Sequence, residues 1–150
     1  MSQPVPENDF RYNTYLLISL ALAIPVLVWP LALFIGSASE SGGIVEKNWL
    51  ISASLLLLAA TVSDSVLASV TSLRQMLQHC VWIAITVAVI SVVLRESAAV
   101  HLLGVMFFLH AMRSAIALWH DSSNWWLWPA WIRDVVVALS IFLWMFLWPV

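Results

Sequence analysis

Five apolar runs dominate the chain, over residues 14–35, 48–72, 76–94, 98–119 and 125–149. Each is near the roughly 20 residues that a helix needs to cross a bilayer core of about 30 Å. A backbone in lipid must satisfy its own polar groups, so an isolated spanning segment is a helix even where, as in the third run, Val and Ile abound. The sequence therefore predicts an all-α protein, a polytopic transmembrane helix bundle of five spans. Residues 1–150 form a single integral membrane domain with a short polar N-terminal tail at 1–13. Charge agrees with this. Charged residues make up 9% of the chain and hydrophobic ones 63%, whereas a soluble domain carries about 25% charged residues.

The connections carry the orientation. The first run is read as a retained anchor and not a cleaved signal, because Glu7 and Asp9 precede it and it exceeds the usual length of about 7–15 apolar residues. Pro25 and Pro30 are expected to bend it, since each removes a backbone hydrogen bond. The Gly/Ser-rich segment 36–47 reads as the longest loop, Trp49 as a marker of the membrane surface, and Arg74 and Arg95-Glu96-Ser97 as tight turns. With five spans, one surface holds Arg11, Arg74, Arg113 and Arg133, and the other holds Lys47 and Arg95. Basic residues accumulate on the cytoplasmic side. The expected topology has the N-terminus inside, and a bacterial inner (plasma) membrane is the expected location.

Residues 119–134, WHDSSNWWLWPAWIRD, hold five of the ten tryptophans. Trp concentrates at the membrane surface, where an apolar ring and a polar N–H both find partners. The chain is expected to turn there between its last two spans.

Charge inside the spans is where polar chemistry must lie. Asp64 falls in the second run, among Ser52, Ala53, Ser54, Ala59, Ala60, Thr61, Ser63, Ser65 and Ala68. Small residues let helices approach closely in lipid, and hydroxyls bond across the contact, so this run should be central. Ala60, Thr61, Ala68 and Thr71 share the helical face of Asp64. The fourth run carries Gly104, His110, Ala111, Arg113, Ser114 and Ala115, which makes it the expected partner. A rise of about 1.5 Å per residue puts Arg113 about 9 Å, Asp64 about 12 Å, and Arg133 and Asp134 about 12–14 Å below one surface. Each charge alone at mid-bilayer costs about 2.5–3.5 kcal/mol, so pairing is expected. The expected buried charge network is Asp64, Arg113, Arg133, Asp134 and His110, with Asp64 paired to Arg113. Two alternatives stay open. Arg113 can snorkel to the surface, and residues 125–131 can lie flat in the interface, which would leave Arg133 and Asp134 interfacial.

The remaining polar side chains limit function. His79, His101, His110 and His120 are weak candidates for cofactor binding. His101 and His110 lie on opposite faces and about 13 Å apart along the axis, so they cannot share one iron; His79 and His120 could meet near one surface. No haem-attachment, zinc or serine-hydrolase motif is legible, so no catalytic residue, metal or cofactor is expected, and haem or a pigment ranks low. Cys80 is the sole cysteine, which excludes an internal disulfide. A net charge of −2 offers no footprint for nucleic acid. The expected partners are the lipid bilayer and other membrane subunits or copies of itself. The reading that follows is a non-catalytic subunit or accessory factor of a membrane complex, more readily than an enzyme. The alternative is a small homo-oligomeric transporter or channel with Asp64 as its proton or ion site.

Overall fold

A computed structural model describes residues 7–35, 42–68, 72–120 and 124–147. The described residues form five helices and no strand: α1 (Glu7–Ile35), α2 (Gly42–Leu67), α3 (Leu73–Arg95), α4 (His101–His120) and α5 (Leu127–Leu147). A single 3-10 turn, Ser97–Val100, joins α3 to α4. Helices α2 to α5 are each long and apolar enough to cross a membrane, and α1 contributes a shorter apolar helix, Tyr12–Val28. The protein is an integral membrane helical bundle.

Several boundaries differ from the expected ones for local reasons. Helix α1 starts at Glu7, so the second half of the expected polar tail is helical. Pro6 precedes it, and no proline interrupts 7–24. Helix α2 starts at Gly42, inside the expected loop, and ends at Leu67 rather than Ser72. Ser72 belongs to the next element. Its hydroxyl accepts from the Gln75 N–H at 3.3 Å while the Gln75 side chain accepts from the Ser72 N–H at 3.2 Å. This reciprocal capping box satisfies two donors that a helix start leaves open. Pro129 lies in the first turn of α5, where its missing N–H costs no intrahelical bond. The expected positions of residues 1–6, 36–41 and 148–150, and that of Thr71, lie outside the described residues.

Consecutive helices are neighbours, and α5 closes the bundle against α1. Helix α4 packs most extensively on α5, while α2 touches α1, α3 and α4. The expectation of a central α2 holds: 44% of its apolar window is buried, against 39% for α4 and α5 and 11% for α3. Helix α4, its expected partner, does touch α2, although α3 and α1 pack on α2 more extensively. Gly104 sets the α4–α5 contact, since a Cβ there would lie 3.0 Å from the Phe142 ring and 3.2 Å from the Ile141 side chain.

Trp49 is a core residue of the bundle. It is 3% exposed, stacks on Trp144 at a centroid distance of 4.7 Å, and donates its indole N–H to the Val26 carbonyl at 3.0 Å. The sequence explains that bond. The residue four places after Val26 is Pro30, which has no N–H to offer the carbonyl. Helix α1 continues through both prolines, and a neighbouring helix supplies the missing donor, as lipid-embedded helices require.

Candidate functional site

A buried polar cluster links all five helices. Its centre is Arg133, one turn and a half into α5. The Arg133 Nε donates to Asp134 Oδ1 at 2.8 Å, and Nη2 donates to Asp134 Oδ2 at 3.1 Å. Nη2 also reaches both oxygens of Asp64 at 3.4 Å, and Nη1 donates to the Tyr15 hydroxyl at 3.2 Å. Tyr15, from α1, in turn donates to Asp64 Oδ1 at 3.2 Å. Asp64, Arg133 and Asp134 are all buried. One guanidinium therefore serves two carboxylates, with its donors arranged as the planar fork of Arg favours.

His110 extends the cluster to α3. Its Nδ1 lies 3.7 Å from Asp64 Oδ2, and its Nε2 receives the Trp82 indole N–H at 2.8 Å. An indole can only donate, so Nε2 accepts and the ring proton of neutral His110 sits on Nδ1, towards Asp64. The Thr61 hydroxyl lies 2.9 Å from the same Nε2 and 3.3 Å from the Thr86 hydroxyl, and donates to the Leu57 carbonyl at 2.8 Å. Thr61, Thr86 and His110 are fully buried. Such a network is worth keeping in lipid only if its members are satisfied. Among the described residues one buried side-chain polar atom has no partner, the Ser54 hydroxyl.

Arg113 stands apart from this centre. The structure pairs Asp64 with Arg133 and not with Arg113, which corrects the expected pair. Asp64 and Arg113 come from helices at comparable level, but they face different neighbours. The Arg113 Nη2 donates to His79 Nδ1 at 3.1 Å, and the guanidinium lies 5.7 Å from the centroid of the Trp82 ring. Arg113 and Asp64 nonetheless line one cavity of about 430 Å³, together with Ser114, Asn124 and Trp126. Arg113 is half-buried.

The depths change as well. Asp64 lies three residues from the end of α2, about 5 Å along the axis, rather than the expected 12 Å. Arg133 lies six residues into α5, about 9 Å along the axis. Helix α5 begins at Leu127, and Arg133 and Asp134 are enclosed.

The other histidines separate. His79 contacts Ser65 and Arg113. His101 is exposed and turns its Nδ1 to the Ala98 carbonyl at 3.2 Å. His120 is exposed, with Nδ1 2.8 Å from the Ile116 carbonyl, so the geometrically possible His79–His120 pair does not form. Asp64, His110 and Asp134, three members of the expected network, each bring one ligand-capable atom to within 4.8 Å of the others. Arg133, bonded to both carboxylates, is the cation of that group. Sequence reasoning missed Tyr15, Trp82 and Thr86. Each is a polar-tipped residue within an apolar run, which is the signal that would have marked them.

The chain matches no protein-family model, no curated protein and no solved structure.

Proposed function

We propose that this protein is a non-catalytic subunit or accessory factor of a larger membrane complex, and that it meets its neighbour through the outward face of α3. The observation that carries this reading is how little of α3 the bundle covers. Only 11% of its apolar stretch is buried, at Thr86 and Val93, with His79 and Trp82 half-buried on the same stripe. The opposite face presents Cys80, Ala84, Ala88 and Ser91, all exposed. Small residues at this spacing let a second backbone come close, which is the main source of helix association in lipid. The buried cluster suits a subunit too. Its bonds are directed inward and tie the five helices together, so the fold is held firm while α3 is left for contact.

The expected setting is a bacterial inner membrane with the N-terminus inside, and a reporter fused after Val150 should then read outside. Neither this reading nor its alternative requires a cofactor. The test is Ala84→Phe with Ala88→Phe. Both positions face away from the bundle, so folded yield should stay at the wild-type level while co-purification of the neighbouring subunit from mild detergent falls. Unchanged association, or a native mass spectrum showing a lone chain before and after the change, contradicts the proposal. Oxidative cross-linking through Cys80 in intact membranes would identify a second copy of this chain as the neighbour.

One observation favours the alternative of a homo-oligomeric transporter or channel. Asp64 borders the 430 Å³ cavity, so its carboxylate is reachable from one end of the bundle. In proteoliposomes, Asp64→Asn should then abolish ion or proton flux without preventing assembly.

A further inference from the structure

The first turns of α3 and the second half of α4 frame an open groove of about 710 Å³. Arg74 and Gln78 from α3 and Arg113 from α4 bring donors to it, while the indole N–H of Trp82 is turned to His110. Leu77, Val81 and Trp82 make the apolar wall. Arg74 lies in the opening turn of α3, where the helix already concentrates positive charge, and a cation there is unfavourable unless an anion joins it. Arg113 gives one bond to His79 and leans on Trp82. Among the described residues no carboxylate lies in ion-pair range of either arginine; Asp64 and Asp134 pair with Arg133.

Two cations thus face one groove at the membrane-surface end of α3, and the groove turns apolar further along the helix. Arg74, with Leu73 beside it, comes first, Gln78 follows one turn later beside Leu77, and the wholly apolar Val81 and the Trp82 ring lie about one turn beyond. That polarity runs in the order of a phospholipid, from phosphate through ester oxygens to acyl chain. We propose that the groove seats an anionic phospholipid. Its phosphate rests on Arg74, Gln78 and Arg113 donate to headgroup and ester oxygens, and an acyl chain lies along Leu77, Val81 and Trp82. A zwitterionic lipid fits less well, because it would bring its own ammonium towards two guanidinium groups. Basic pockets between spanning helices recognise anionic headgroups in this way. Arg113 also walls the Asp64 cavity, so a bound phosphate would hold its charge on the groove side.

The test uses the full chain in detergent, with phosphatidylglycerol or phosphatidylcholine of identical acyl chains added, and native mass spectrometry to count retained lipid. Phosphatidylglycerol should be retained in preference. Arg74 is exposed, so Arg74→Gln should fold normally and weaken the preference about five-fold, and Arg74→Gln with Arg113→Gln should weaken it about 25-fold. Arg95→Gln, at the other end of α3, should leave it unchanged. If the double variant folds poorly, Arg74→Gln alone decides. Equal retention of the two lipids by the wild-type chain overturns the proposal. So does a preference that Arg74→Gln leaves undiminished, or one that Arg95→Gln removes.

Discussion

Trp82 and Ser54 show the same rule from opposite sides. Trp82 supplies the N–H that His110 Nε2 accepts. Trp82→Phe keeps most of the apolar volume and leaves that acceptor with less support in a buried site, which costs about 1–3 kcal/mol. Ser54 buries a hydroxyl with no partner, so Ser54→Ala should be neutral or stabilising. Thermal unfolding in detergent should therefore move down for Trp82→Phe and stay level or move up for Ser54→Ala. Equal losses at both positions would mean that the hydroxyl and the indole are not in these environments. At this scale the sequence was partly legible. Asp64, His110, Arg133 and Asp134 stand out because charge or imidazole inside an apolar run is costly alone. Their pairing was not legible. Depth along a helix is read by counting residues, but which neighbour a side chain faces depends on the rotation of two helices about their axes, and Asp64 proved to face Arg133 instead of Arg113.

Element boundaries were legible wherever a chemical stop was present. The turn at Arg95-Glu96 is where expected, and the capping box of Ser72 with Gln75 was visible as a Ser followed three residues later by Gln. Reading Ser72 as the end of α2 missed it and displaced Asp64 by about 7 Å along the axis. The start of α2 was less legible, because Gly42-Gly43 resembles a loop although nothing after it breaks a helix. Proline positions in α1 were obvious, but the donor that repairs Pro30 comes from Trp49 on another helix, a contact between distant parts of the chain. Trp49→Phe keeps the ring and removes the donor, and should destabilise by about 1–3 kcal/mol. Gly104→Leu should separate α4 from α5, because the space beside Gly104 is taken by Phe142 and Ile141; overpacking of this kind costs about 1–3 kcal/mol. Chemical denaturation in mixed micelles measures both. Wild-type stability of the Leu variant would show that the two helices do not meet closely at that level.

Across the whole molecule, each helix contributes to one polar centre: Tyr15 from α1, Thr61 and Asp64 from α2, Trp82 and Thr86 from α3, His110 from α4, and Arg133 with Asp134 from α5. Lipid offers no hydrophobic drive to hold apolar helices together, so directed bonds and close packing carry more of the specificity. The sequence announced a bundle with a charged interior, whereas the closing of that interior around Arg133 follows from five helices meeting at once. The most direct test is a pair of double-mutant cycles read by reversible unfolding in mixed micelles. Asp64→Asn combined with Arg133→Leu should show a coupling of about 1–3 kcal/mol, as for charges that share hydrogen bonds. Asp64→Asn combined with Arg113→Leu should be close to additive, within about 0.5 kcal/mol. Strong coupling of Asp64 to Arg113, with additivity at Arg133, would contradict the account.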